Sequence, residues 1–308
     1  MHGFRVGIIV CGAALWGCGV SSVMGETWYL QHGGEWQEMS QQCKELLDKG
    51  NEYYEQDKYI KAARKYRKFL DECKDSGELY DEVLERQYEI AGEFLAGRKK
   101  RVLGVFRMST YAEGIKMMER IRERAGDSEL AAKAAVEVAR SYESRGRKKK
   151  SRYISAYQSW LDVYESYDKQ MRLPGLSPTG ELGKDALLAM ARCQELAYRG
   201  PMFDAADLSG RPLSENAFDG ARRCYEQFRT RYPSEAKKRG IDAKLRKIDE
   251  EIAKKDLWTG HYYQTRGNRS AANLYYQMVM RDWPGTEASA EARAMLAENM
   301  SGKEKEKK

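Results

Sequence analysis

The sequence predicts an all-α fold, a superhelical solenoid of about five helical hairpins closed by a C-terminal capping helix. Three observations lead to this prediction. The chain has only six prolines in 308 residues and is rich in residues that favour helices. It has no long runs of alternating hydrophobicity, which a sheet would require. Small and large apolar residues recur three and four positions apart, as they do on amphipathic helices.

One spacing of small, aromatic and proline residues occurs twice, about two hundred residues apart. Its members are Gly260, Tyr263, Ala272, Tyr276 and Pro284 in one copy, and Gly50, Tyr53, Ala62, Tyr66 and Lys74 in the other. Two antiparallel helices approach closely only where small side chains face each other, and rings one turn away fill the wider gaps. Proline then ends the second helix. The spacing therefore predicts a hairpin of two packed helices.

Three less regular copies of this hairpin are expected between the two clear ones. Their marker residues are Ala91, Phe94, Tyr111, Gly114, Met118 and Ile121, then Ala139, Tyr142, Ala156, Trp160 and Val163, then residues 183–198 with Ala221, Tyr225, Phe228 and Pro233. Ser128 and Thr179 stand where helix N-caps are expected. A capping helix is predicted from about Glu287 to Asn299, followed by a disordered tail over residues 301–308.

The first twenty-five residues have the layout of a secretory signal peptide. A single cation, Arg5, precedes an apolar run over residues 6–16, and small residues follow. Two processing sites are possible. The stretch from Leu15 to Cys18 is similar to a lipobox, although Trp16 is unusual there, and would make Cys18 the lipid attachment site. The alternative is ordinary cleavage after Gly25. Either way the mature protein is expected to be exported across a bacterial inner membrane.

A disulfide is possible between Cys43 and Cys73. Cys43 begins one predicted helix and Cys73 ends its antiparallel neighbour, so the two can meet at one end of a hairpin. Exported chains permit such bonds. The alternative is two unrelated, half-buried thiols.

Charge and motifs argue against enzymatic activity and against nucleic-acid binding. The 54 basic residues are interspersed with 47 acidic ones, for a net charge of +7, whereas a nucleic-acid binder concentrates its cations on one face. The basic runs at residues 97–101 and 145–152 are interpreted as solvated linkers, with contact to anionic lipid or an acidic partner as the alternative. No catalytic motif, cofactor site or metal-ligand spacing is present, and the histidines are far apart.

The repeated spacing resembles the tetratricopeptide repeat. That resemblance implies that the first helix of each hairpin lines a concave surface. The mix of cations, rings and apolar groups at the positions given below suits an extended peptide with an aromatic or carboxylate end. Offsets from the small residues Gly50, Ala91 and Ala139 give the candidate groove. Its residues are Lys44, Leu47, Asn51, Tyr54, Glu85, Tyr88, Gly92, Leu95, Lys133, Val136, Arg140 and Glu143.

The segments at residues 225–235 ("YEQFRTRYPSE") and 259–286 look like the closing repeats of the BamD family, the lipoprotein of the outer-membrane β-barrel assembly machinery. The resemblance covers roughly residues 40 to 300. It implies a lipid-anchored scaffold at the periplasmic face of the outer membrane, or alternatively a soluble periplasmic protein, without a chemical step or cofactor. Its implied partners are a BamA-type barrel protein, held by the C-terminal repeats, and the C-terminal segments of unfolded outer-membrane proteins, held in the N-terminal groove.

These predictions divide the chain into a signal peptide (1–25), N-terminal repeats one to three with the peptide groove (26–175), C-terminal repeats four and five with the capping helix for partner docking (176–300), and the tail (301–308). Three alternatives remain. The first is another periplasmic adaptor, tied to envelope constriction or polysaccharide export. The second is a polyanion binder built on the basic runs. The third is an enzyme with a site in the loop at residues 199–216, at Asp204 or Asp207.

Overall fold

The computed structural model describes residues 29–32, 35–38, 41–74, 76–97, 99–102, 106–147, 152–198 and 217–306. Within these ranges the chain forms twelve α-helices and two short β-hairpins, which confirms the predicted all-α solenoid class. In chain order the elements are β1 (Tyr29–His32), β2 (Glu35–Glu38), α1 (Gln41–Glu55), α2 (Tyr59–Glu72), α3 (Glu78–Ala96), β3 (Lys99–Val102), β4 (Phe106–Ser109), α4 (Tyr111–Ala125), α5 (Glu129–Gly146), α6 (Arg152–Ser166), α7 (Leu182–Ala197), α8 (Ala217–Arg231), α9 (Pro233–Lys238), α10 (Ile241–Thr265), α11 (Arg269–Asp282) and α12 (Glu287–Glu306).

The helices pack in five successive hairpins: α1 with α2, α3 with α4, α5 with α6, α7 with α8, and α10 with α11. The short helix α9 connects α8 to α10, and α12 packs on α10 and α11 as the predicted cap. Each hairpin also packs on the next one, because a single hairpin cannot bury its apolar face alone.

The close approach of paired helices explains the repeated spacing. A Cβ atom on Gly50 would lie 2.5 Å from Cε1 of Tyr66, and a Cβ on Gly260 would lie 2.5 Å from Cε1 of Tyr276. Both tyrosines are completely buried. Glycine is therefore needed on the first helix of each of these hairpins because the ring of the second helix occupies the space of a side chain.

Three clusters of buried side chains follow one another along the solenoid. The first runs from α1 to α5, the second from α5 to α10, and the third from α10 to α12. The long helix α10 contributes Ile252 to the second cluster and Ala253 to the third. The second cluster extends across residue 175, so the two predicted halves of the chain share one core.

Cys43 and Cys73 form a disulfide with a Cα–Cα distance of 6.0 Å. It joins the first turn of α1 to the residue that follows α2, as the hairpin geometry suggested. The predicted N-cap at Ser128 is also confirmed, because its side chain accepts a hydrogen bond from the Ala131 N–H at 3.2 Å.

Several boundaries differ from those predicted. Helix α7 begins at Leu182 rather than after Thr179, because Thr179 instead takes part in the preceding turn through its hydroxyl group. Helix α12 continues to Glu306, past the expected start of the tail at Ser301. Its Glu- and Lys-rich end favours helix, and one internal Gly302 costs only about 1 kcal/mol.

The two β-hairpins, β1 with β2 and β3 with β4, are antiparallel pairs that the sequence did not indicate. Each strand has four residues. A run this short is too brief to give a clear alternating signal among neighbouring helices.

Candidate peptide groove and docking surface

The first helices of the hairpins, α1, α3, α5, α7 and α10, follow one another in space, and polar side chains connect α1 to α3, α5 to α7 and α7 to α10. We call these five helices the first-helix layer. Their partners α2, α4, α6, α8 and α11 lie behind them, so the remaining side of the layer is the face available to a ligand.

At the start of the layer, Asn51 of α1 joins two hairpins. Its side-chain oxygen accepts hydrogen bonds from the Tyr66 hydroxyl and from Arg86 of α3, both at 2.8 Å. Beside it, the Tyr54 hydroxyl donates to Glu89 of α3. This hydrogen bond, together with burial, raises the pKa of Tyr54 to about 12. The predicted groove residues Asn51 and Tyr54 thus fix α1 against α3.

The same arrangement recurs between the third and fourth hairpins. Trp160 of α6 donates from its indole nitrogen to Glu143 of α5 at 3.2 Å. Arg192 of α7 then donates to Glu143 through two nitrogens, one of them at 2.9 Å. The aromatic ring of the second helix, Trp160, therefore orients the Glu143 carboxylate, which in turn binds Arg192 on the first helix of the next hairpin.

Two further copies of this connection follow, one between α7 and α10 and one between α10 and the capping helix α12. The Tyr225 hydroxyl donates to Glu195 of α7 at 3.0 Å, and Lys244 of α10 lies 3.6 Å from that carboxylate. In the last hairpin His261 lies between the Tyr276 hydroxyl, at 3.3 Å, and Glu291 of α12, at 3.2 Å. Because polar bonds join α1 to α3 and connect α5 through α7 to α10, the shape of these two parts of the layer is set before any ligand binds, which reduces the ordering cost of binding.

Tyr88 of α3 lies near Glu137 and Arg140 of α5. Burial raises the pKa of Tyr88 to about 12, and the nearby Glu137 carboxylate adds to this effect. Burial also raises the pKa of Glu137, while Arg140 opposes the change. Arg140 donates a 2.6 Å hydrogen bond to the backbone carbonyl of Leu176. Tyr88 and Arg140 were predicted groove residues, whereas Glu137 was not.

The remaining predicted groove residues have different surroundings. Glu85 is exposed, Lys44 is half-buried, and Lys133 forms a 2.7 Å ion pair with Glu129 one turn earlier. Leu47 packs against the first core cluster. Gly92 has no neighbour near its side-chain position.

One of the predicted positions, Val136, belongs to the packed interior rather than to the groove, and a second, Leu95, is half-buried and packs partly against α4. Val136 is completely buried in the second core cluster. Leu95 is directed at α4, where its Cδ2 lies 3.1 Å from the position of a Cβ on Gly114. A residue four positions after the small one is rotated by only about 40° from it, so Leu95 remains close to the side that faces the paired helix.

A second surface, on α10, was not predicted as a site. Trp258 and Tyr262 are 40% and 44% exposed, and their rings stack with centroids 6.3 Å apart. The Arg266 guanidinium lies 5.4 Å from the centre of the Tyr262 ring. We call these three residues the α10 ridge. Their spacing of four along one helix could have indicated it, because Trp, Tyr and Arg are the residue types most enriched where proteins bind each other.

An open cleft of about 320 Å³ lies between α7 and α10, with three cations in its wall. It is lined by Leu188, Arg192, Tyr225, Arg239, Ile241 and Lys244. Each cation has a carboxylate partner, since Arg192 binds Glu143, Lys244 lies near Glu195 and Arg239 binds Glu235. The cleft is therefore close to neutral and is not an evident anion site.

Over the described part of the chain, no group of three or more potential metal ligands comes together. Among the same residues, no helix combines the length and the apolar character needed to span a bilayer. The lipobox with Cys18 and the loop with Asp204 and Asp207 lie outside the described residues.

Residues 197–307 match the family model described as "YfiO: Outer membrane lipoprotein". The match covers about a third of the chain, namely the fourth hairpin from α8 onward, the fifth hairpin and the capping helix. No curated protein matches the chain. The C-terminal third is therefore similar to outer-membrane lipoproteins, and it includes the α10 ridge.

Proposed function

We propose that the protein is a non-catalytic periplasmic scaffold of the outer-membrane β-barrel assembly machinery, attached to the outer membrane through lipid on Cys18. It binds a BamA-type barrel protein and the C-terminal segments of unfolded outer-membrane proteins. The observation that carries this proposal is the match of residues 197–307 to an outer-membrane lipoprotein family, in the part of the chain where the resemblance to BamD is also clearest.

The groove for the unfolded segment is the open side of α1, α3 and α5. Tyr54, Tyr88 and Glu85 offer rings and a carboxylate along one face, and the hydrogen bonds between α1 and α3 keep that part of the face preformed. An extended peptide can lie across such a surface with its side chains between successive helices. No bond is made or broken, so the contribution of the protein is to hold two partners in position.

The α10 ridge is the surface proposed for the barrel protein. Both rings are exposed, and Arg266 forms no ion pair with another described residue, so the ridge is apolar and positively charged. A partner surface with an apolar centre and acidic margins would complement it.

Affinity purification of the tagged full-length protein from gently solubilised host envelopes tests this function. We expect a BamA-type barrel protein to be recovered, and we expect the Trp258→Ala/Tyr262→Ala variant to lose it. Leu274→Ala is the matched control, because Leu274 is an exposed apolar residue of α11, outside the ridge. The N-terminal peptide in the same samples reports whether Cys18 carries lipid.

Recovery of soluble periplasmic or wall-remodelling proteins without any barrel protein would contradict the assembly function. It would instead support the alternative of another periplasmic adaptor. Equal recovery of the barrel protein by the ridge variant and the control would retain the function but refute the assignment to the ridge.

A further inference from the structure

The connection between α6 and α7, residues 167–181, is an ordered part of the fold. We call it the α6–α7 segment. Leu173 in its middle is 1% exposed, and Met171 and Leu176 pack against the second core cluster. The segment is thus held by one buried and two partly buried apolar side chains, which is unusual for a surface loop.

Hydrogen bonds to the first turn of α7 fix the backbone of the segment. The Leu182 N–H donates to the Met171 carbonyl and the Gly183 N–H donates to the Lys169 carbonyl, both at 2.9 Å. The Asp185 carboxylate accepts from the Ser177 hydroxyl at 2.8 Å and from the backbone N–H of Thr179 at 3.1 Å.

Arg140 shows where the segment lies. Its guanidinium donates to the Leu176 carbonyl at 2.6 Å. Arg140 is about 16 Å along α5 from Glu129, at 1.5 Å per residue, and an arginine side chain is much shorter than that. The segment begins where α6 returns to the start of α5, so it must extend down over the first-helix layer to reach Arg140.

Arg140 is on the open side of α5. Its neighbour Ala139 is buried against α6, Val138 is buried toward the first two hairpins, and Glu143 is directed at α7 and α6. The α6–α7 segment therefore covers the ligand side of the layer between α5 and α7.

We propose that the α6–α7 segment ends the peptide groove at α5, which confines a bound peptide to α1, α3 and α5. This inference rests on the proposed peptide-binding function. Directly packed helices lie about 8–10 Å apart. Because α1 is not packed directly on α3, the distance from α1 to α5 is at least about 20 Å. An extended chain rises about 3.3 Å per residue, so at least about six residues are needed to cross from α1 to α5, and the ligand class is a short extended segment of that length or a little more. Longer segments would leave the groove at Arg140.

Site-specific photocrosslinking tests whether the α6–α7 segment ends the groove. A photoreactive side chain replaces either Glu85 of α3, on the near side of the segment, or Leu196 of α7, which is 41% exposed beyond it. The probe is a labelled synthetic peptide of alternating polar and apolar residues that ends in phenylalanine with a free carboxylate, long enough to extend from α1 to α7. We expect crosslinks at position 85 and only background at position 196.

The Arg140→Gln/Asp185→Asn variant releases the segment while Leu173 stays in place, and we expect it to gain crosslinks at position 196. A second variant replaces residues 170–180 with a short glycine–serine linker, and circular dichroism checks that both variants fold. Equal crosslinking at positions 85 and 196 in the unaltered protein would refute the proposal that the α6–α7 segment ends the groove, but not the groove itself. The same conclusion would follow if a folded variant with a released segment gained no crosslinks at position 196. Absence of crosslinks at both positions in the unaltered protein and in both variants would refute the groove itself, and with it the proposal that the segment ends the groove.

Discussion

The close packing of Gly260 against Tyr276 gives a prediction about stability. In the Gly260→Ala variant, the new Cβ would lie 2.5 Å from Cε1 and 2.8 Å from Cδ1 of the Tyr276 ring. The ring is completely buried and its hydroxyl is engaged with His261. It therefore cannot turn aside, and α10 and α11 must separate by several tenths of an ångström or more.

Two opposing effects determine the magnitude. Replacing glycine by alanine inside a helix stabilises the folded state by about 1 kcal/mol. Overpacking a buried contact costs about 1–3 kcal/mol, and the contact here is at the severe end. We expect Gly260→Ala to lower the free energy of unfolding by about 1–2 kcal/mol. Gly92→Ala is the matched control, since Gly92 is also inside a helix but has no atom near its side-chain position, and we expect it to raise stability by about 1 kcal/mol.

Urea unfolding followed by circular dichroism measures both changes, and hydrogen exchange of α10, α11 and α12 shows whether the loss is local to the last hairpin. The double variant Gly260→Ala/Tyr276→Leu should lose less than the sum of its two single variants, because the smaller side chain removes the collision. If Gly260→Ala were as stable as Gly92→Ala, the steric explanation of the repeat would be refuted.

Three further predictions concern the first hairpins. Removing the Cys43–Cys73 disulfide, which joins residues 30 apart, should lower the free energy of unfolding by about 3–4 kcal/mol. Urea unfolding with and without reductant measures this loss, and equal stability in the two conditions would show that the bond is absent. Glu143→Ala should lower the free energy of unfolding by about 1–3 kcal/mol because Trp160 and Arg192 lose their acceptor. The control Glu45→Ala, at an exposed ion pair of 4.0 Å, should lower it by under about 0.5 kcal/mol. Equal losses in the two variants would contradict the role of Glu143. The neutral form of Tyr88 is favoured in the folded state, with a pKa near 12 against 10.0 for the free group, so its contribution to stability is complete below pH 10 and is lost as the pH rises toward 12. Tyr88→Phe should reduce that loss in alkaline unfolding measurements, and an unchanged pH profile would argue against the burial of Tyr88.

The sequence by itself determined the repeating hairpin. Contacts within a hairpin are close in the chain, so residues such as Gly50 and Tyr66 recur at a spacing that local helix geometry dictates. The same reasoning made a disulfide between Cys43 and Cys73 possible, and the structure shows it. The fold class, the hairpin order and the capping helix follow from these short-range relations.

Only the tertiary structure decided what faces the groove. The side of each first helix that remains open depends on how neighbouring hairpins are rotated, and for this reason Val136 proved to be an interior residue and Leu95 a half-buried one. The bonds from Arg86 to Asn51 and from Arg192 to Glu143 join different hairpins, and no spacing in the sequence specifies them. The path of the α6–α7 segment likewise depends on where distant side chains, such as Arg140, come to lie once the hairpins have packed.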